Sequence, residues 1–199
     1  MNKLPQIISI IAFIGGLVFA QQYFSKNKLP AGKQIPIAGK EFGGEFTLQR
    51  EGGKPVSLSD FKGNVVVLYF GFASCPDVCP TSLAIIGSAM KSLSAEEVAD
   101  VKGLFISLDP ERDTDENLKQ YAEYFHKNFS GITGTLEQIE RVARRYGTYF
   151  IKVAGSSESS YTIDHTSATF IIGRDGKFVV SKTHGTSAKE ITEAIRSAL

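Results

Sequence analysis

The sequence predicts an α/β fold in which a sheet is sandwiched between helices, led by an N-terminal β-hairpin and preceded by a single membrane-spanning helix. Three observations carry that prediction. Residues 65–70 are six apolar or aromatic side chains in a row, opening on three valines, the pattern of a strand buried on both faces. After it, further apolar runs alternate with segments of helical spacing as far as the C-terminus. Residues 4–24 carry no charge, and as a helix rising 1.5 Å per residue they span about 31 Å, the hydrocarbon thickness of a bilayer.

Taken in order, residues 1–24 are the expected membrane anchor. The competing reading is a cleaved signal segment with Val18 and Ala20 at the −3 and −1 positions, a site weakened by the bulky Phe19 between them. Lysines flank the span on both sides, so the positive-inside trend decides little, and the short leader is assigned to the cytoplasm. Residues 25–40, with Pro30, Gly32, Pro36 and Gly39, form a tether to a domain at 41–199. Glu45 to Leu48 and Pro55 to Leu58, separated by Gly52 and Gly53, read as the hairpin that feeds the central strand. Leu83, Ile86, Met90 and Leu93 recur at helical spacing, and Pro80 suits a first helical position, so this helix is expected to start at about Pro80. Residues 103–108 are a second buried strand. Asp113 with Glu116, Thr135 with Gln138, and Ser187 with Glu190 have the spacing of helix caps, and Gly147 that of a helix stop. Residues 148–153 read as a strand and 155–160 as a mobile loop. Strands at 168–172 and 177–180 flank a turn at 173–176, and a helix closes the chain. This order of elements fits a thioredoxin-like sandwich best.

Composition narrows the function. The formal net charge is +1, but four of the 22 basic residues lie before residue 34 with no acid among them. The remaining 18 face 21 acidic residues, so nucleic acid is excluded as a partner. Both cysteines, Cys75 and Cys79, fall between the central strand and the following helix. Free N–H groups and the positive end of the helix dipole there are expected to lower the thiol pKa values and favour thiolates. A structural disulfide closing three intervening residues removes little chain entropy and stabilises little. Metal binding and thiol–disulfide exchange therefore remain open. Two thiolates and one imidazole form a set suited to Cu(I), and with an added oxygen ligand to Cu(II), whereas structural zinc normally takes four protein ligands. His126, after a helical stripe, reads as a partner of the helix C-terminal dipole, and His184 as an ordinary surface or core residue.

Gly71-Phe72 followed by Cys75-Pro76-Asp77-Val78-Cys79-Pro80-Thr81, then Asp109-Pro110-Glu111-Arg112-Asp113-Thr114, then Tyr161-Thr162-Ile163-Asp164-His165, resembles the Sco/SenC family in order and spacing over roughly residues 40–195. The resemblance implies a thioredoxin-like domain tethered to a membrane that binds one copper, Cu(I) or Cu(II), through Cys75, Cys79 and His165. It also implies delivery of that copper to a cytochrome c oxidase subunit as the binuclear copper site is assembled. Many relatives have Thr-His where this chain has Ala73-Ser74, which bears on the surroundings of the site. Asp164 is a candidate to orient the imidazole, and Asp77 to tune the cysteine loop. Residues 109–113 read physically as a cap and turn, and the resemblance adds a surface used by partners. His165 is expected in a loop facing the cysteines, just before a strand. The expected protein is a monomer in the inner membrane with its domain on the periplasmic side, meeting thiol–disulfide or copper-donor proteins there. The enzyme-class alternative is a thiol–disulfide oxidoreductase using Cys75 and Cys79 as its redox pair, and the same residues would serve a redox or copper sensor. A thiol peroxidase is disfavoured, because Phe72 stands where a peroxiredoxin needs threonine and the chain has no tryptophan.

Overall fold

A computed structural model describes residues 42–155 and 161–199. The expected span, the tether and the loop at 156–160 lie outside the described residues; among those described, no helix is long and apolar enough to cross a membrane. The chain order is β1 (Thr47–Arg50), β2 (Lys54–Ser57), β3 (Val65–Gly71), α1 (Val78–Lys91), α2 (Ala95–Ala99), β4 (Val101–Ser107), α3 (Asp115–Phe125) and β5 (Phe129–Ile132). It continues with α4 (Leu136–Arg145), β6 (Phe150–Ala154), β7 (Tyr161–His165), β8 (Ala168–Ile172), β9 (Phe178–Thr183) and α5 (Ala188–Arg196).

The central sheet has the order β5-β4-β3-β8-β9. β3, β4 and β5 run parallel because helices carry the chain across between them, while β8 is antiparallel to both β3 and β9. β3 sits in the middle with all seven residues buried, as its unbroken apolar run requires. Its alternate side chains serve two layers. Tyr69 stacks on Phe105, whose ring meets Tyr121 of α3. Phe70 faces the other way onto Phe170 and Tyr146, the residue that ends α4. α5 lies against α1, with the buried Thr192 hydroxyl 3.2 Å from the Ala89 carbonyl and 2.8 Å from the Ala188 carbonyl of its own helix. Full burial of each large apolar side chain stabilises by about 1.5–3 kcal/mol, so the end of β3 is a firm platform for the loop that follows it.

The capping boxes Thr135/Gln138 and Ser187/Glu190 form as expected, and Gly147 stops α4 with φ 62°. The hairpin β1–β2 forms too, and its outer strand reaches the β5 side of the sheet through paired Gln49–Thr133 backbone bonds of 2.6 and 2.8 Å. β6 and β7 make a separate two-stranded ribbon. The segment expected as a loop before β8 is therefore a strand, with His165 as its last residue.

Candidate functional site

The cysteine loop leaves β3 at Gly71, where the parallel strands present their carboxyl ends, the edge at which open α/β sheets hold their ligands. The Cys75 N–H closes a turn on the Phe72 carbonyl at 3.2 Å. α1 begins at Val78, two residues before the expected start, with Asp77 as N-cap and the Thr81 N–H on its carbonyl at 3.2 Å. Pro80 falls at the third helical position, which is tolerated because the first four N–H groups of a helix have no partner within it. The shift places Cys79 inside the first turn. Its side chain is fully buried and turned back on the end of β3: a Cβ on Gly71 would come within 2.7 Å of Cys79 Sγ. Cys75 is half-buried, both thiols are free, and the Cys79 N–H points at Cys75 Sγ at 3.5 Å. Asp77 is exposed and makes no side-chain cap.

Burial overturns the expected lowering of the Cys79 pKa. Loss of solvent pushes the thiol well above its ordinary value, the nearby Cys75 and its hydrogen bond add to the rise, and a bond from the backbone at Phe72 opposes it.

His165 closes β7 beside this thiol, with Nε2 3.3 Å from Cys79 Sγ. Its Nδ1 lies 3.1 Å from the Thr166 carbonyl, which can only accept, so Nδ1 carries the proton and Nε2 keeps its lone pair toward the sulfur. The ring is held edge-on by Phe72 and Tyr69, with centroids 6.0 and 6.4 Å away. Burial lowers the imidazole pKa, against the opposing pull of the Thr166 carbonyl and the Asp164 charge, and keeps the ring neutral. The Thr166 carbonyl thus makes the orienting bond expected of Asp164, which is exposed and reaches the ring through its charge. Among the described residues, no three His, Cys, Asp or Glu side chains are gathered tightly enough to hold a metal ion as they stand. Cys79 and His165 are a pair at contact, and the Cys75 sulfur lies against the Cys79 amide.

The loop after β4 is built differently from the expected cap and turn. Thr114, not Asp113, caps α3, accepting the Asn117 N–H at 3.3 Å. Asp113 is buried instead and receives the Ala73 N–H at 2.9 Å and the Ser107 hydroxyl at 2.6 Å. Burial raises its pKa, and those two bonds hold it down. Asp109 is wholly buried one turn earlier. Neither role follows from local spacing; the available signal was two aspartates and an arginine directly after a buried parallel strand, where functional loops gather. His126 does not serve the helix dipole. It is buried, its Nδ1 accepts the Asn128 N–H at 3.1 Å, and burial together with Lys91 and Lys127 lowers its pKa, so the ring is neutral. His184 is exposed and bonds Ser82 Oγ through Nδ1 at 2.9 Å.

A thioredoxin-like domain with a mixed sheet, a two-cysteine loop at the end of the central strand and an imidazole against the second thiol defines the class. The SCO1/SenC family model matches residues 35–199, and the chain belongs to that family. It is similar to a SCO2-like protein of Rickettsia felis, 34% identical over 196 residues that cover 98% of this chain and 95% of the relative. Its fold matches copper-bound ScoI of Arabidopsis thaliana with a TM-score of 0.72 at 34% identity, over 78% of this chain and 99% of that one. It also matches BsSco, described as a member of the Sco family of cytochrome c oxidase assembly proteins and as having a disulfide switch, with a TM-score of 0.62 at 28% identity over 79% and 93% of the two chains.

Proposed function

We propose that this chain is a membrane-tethered copper metallochaperone. It takes up one copper through Cys75, Cys79 and His165 and hands it by ligand exchange to a cytochrome c oxidase subunit as the binuclear copper site is assembled. The observation that carries this reading is the contact of Cys79 Sγ with the unprotonated Nε2 of a neutral His165 at 3.3 Å. Soft sulfur with imidazole is a donor set that favours Cu(I) and tolerates Cu(II). The copper held by the Arabidopsis relative and the oxidase-assembly role of the Sco family to which BsSco belongs point the same way. Half-buried Cys75 meets incoming metal first, and buried Cys79 gives up its proton as its thiolate forms. The uncharged stretch at 4–24 supports a single span in the inner membrane with the domain on the periplasmic side.

The test is anaerobic copper titration of the reduced protein, followed by absorption and EPR spectra of the Cu(II) form, with His165→Ala beside it. One copper per chain and a thiolate-to-Cu(II) charge-transfer band that is lost in the variant are expected. A variant that holds Cu(II) as the parent does, and supports oxidase assembly equally, sinks the proposal. A second reading, thiol–disulfide exchange, is favoured by the half-buried Cys75 sulfur against the Cys79 amide and by the disulfide switch of BsSco. It needs the cysteines alone, so His165→Ala leaves it intact.

A further inference from the structure

We propose that the loop between β4 and α3 is a two-armed clamp that sets the spacing between His165 and the cysteine loop, with Asp109, Arg112 and Tyr161 as positioning residues that act through His165. The inference rests on the reading of His165 as a copper ligand.

The ribbon that carries His165 needs an outside anchor. Among the described residues β7 pairs with β6 alone, and a lone two-stranded ribbon is at best marginally stable in water. Tyr161, Ile163 and His165 alternate onto one face of β7, and Ile163 is the residue of that strand buried in the core. The anchor is at the opposite end of the strand from the imidazole. The Tyr161 hydroxyl donates to Asp109 Oδ1 at 2.7 Å, and its carbonyl accepts from Arg112 Nη1 at 2.9 Å. The Arg112 guanidinium carbon lies 3.7 Å from the centroid of the Tyr161 ring. Hydroxyl, carbonyl and ring face are thus all fixed at one residue, about 13 Å along a paired strand from His165.

Asp109 is wholly buried, and a buried carboxyl group left without partners is costly. Arg112 Nε binds its other oxygen, so the carboxylate is shared between the loop's own arginine and the ribbon's tyrosine. Arg112 Nη2 is buried with no hydrogen-bond partner, leaving the guanidinium against the faces of Tyr161 and, at 5.8 Å, Phe72. Phe72 is the same ring that stands edge-on to His165. The second arm is Asp113, which holds the Ala73 amide in the cysteine loop. Ser107 joins the arms, donating to Asp113 and accepting the Asp109 N–H at 3.0 Å. One turn, closed by the Asp113 N–H on the Asp109 carbonyl at 3.0 Å, therefore grips both halves of the site.

The test compares the full-length reduced chain with Tyr161→Phe, which removes one hydroxyl, and Arg112→Gln, each with and without His165→Ala. In the metal-free protein, amide hydrogen exchange at residues 162–166 is expected to speed up about tenfold or more, with β8 unchanged. Loss of an outer partner typically weakens metal binding about 10- to 100-fold. Cu(II) retention should fall by that order in the parent background, and by less than about twofold once His165 is alanine, because residues acting as a unit are not additive. Unchanged exchange at 162–166 overturns the clamp. Faster exchange with unchanged copper retention, or equal weakening in both backgrounds, overturns its action through His165. If His165→Ala alone leaves copper retention at the parent level, the metallochaperone reading and the action through His165 both fail, while exchange still reports whether the loop anchors the ribbon.

Discussion

Replacing Gly71 with alanine tests the packing of the candidate site directly. A Cβ there lies 2.7 Å from Cys79 Sγ, 3.0 Å from Phe105 Cε2 and 3.2 Å from Tyr69 Cε1. Favourable heavy-atom contacts begin at about 3.5 Å, so all three neighbours must move. None has solvent to move into, because Cys79 and Phe105 are wholly buried and Tyr69 nearly so. Overpacking of a filled core costs about 1–3 kcal/mol. For a domain of this size each kcal/mol lowers Tm by about 2–4 °C, which gives a fall of roughly 2–12 °C. The assay is thermal unfolding of the reduced, metal-free protein followed by circular dichroism, in parent and Cys79→Ala backgrounds. Cys79→Ala removes the atom in closest conflict, so the cost of Gly71→Ala should shrink there by about half or more. An equal cost in both backgrounds, or no change of Tm in the parent, refutes the reasoning that the glycine exists to seat the sulfur.

Copper affinity should climb with pH. Burial raises the Cys79 thiol pKa, so the free protein keeps that proton near neutrality and must release it on binding, giving about tenfold tighter binding per pH unit for each thiol proton displaced. His165 adds no slope there, since its lowered pKa leaves it neutral already. Competition against a chelator of known affinity between pH 6 and 8 checks this, and a flat profile contradicts it. Stability of the metal-free protein should depend on pH in the same direction through His126. Its folded pKa is depressed by burial, then by Lys91 and Lys127, so the unfolded chain binds the proton more readily. The stability tied to the neutral ring is complete above the unfolded value of about 6.5 and is lost as pH falls through the folded one. His126→Gln should narrow the gap in urea-unfolding free energy between pH 7.5 and pH 5, and an unchanged gap contradicts this.

What the sequence made legible was governed by local rules, and what it hid was decided by contacts far along the chain. The apolar run of β3, the boxes at Thr135 and Ser187 and the stop at Gly147 each follow from neighbours within a few residues. Asp113 had the spacing of a cap with Glu116, but a partner forty residues away, the Ala73 amide, draws it inward and leaves the cap to Thr114. β5 has four residues and no alternation to mark it; its Gly131 answers to the Leu118 carbonyl, which stands 2.4 Å from where a Cβ would be. Cys79 shows most clearly how magnitudes settle such a contest. A helix N-terminus favours an anion by about 0.3–1 kcal/mol, less than one pKa unit, whereas full burial can move a pKa by about 3–5 units the other way. Position in the sequence reveals the dipole and not the burial, because the latter depends on Gly71 leaving room for the sulfur and on α1 starting two residues before its proline. The sulfur that lies against His165 is therefore a protonated thiol in the free protein, and it becomes a strong donor when a soft cation arrives to replace the proton.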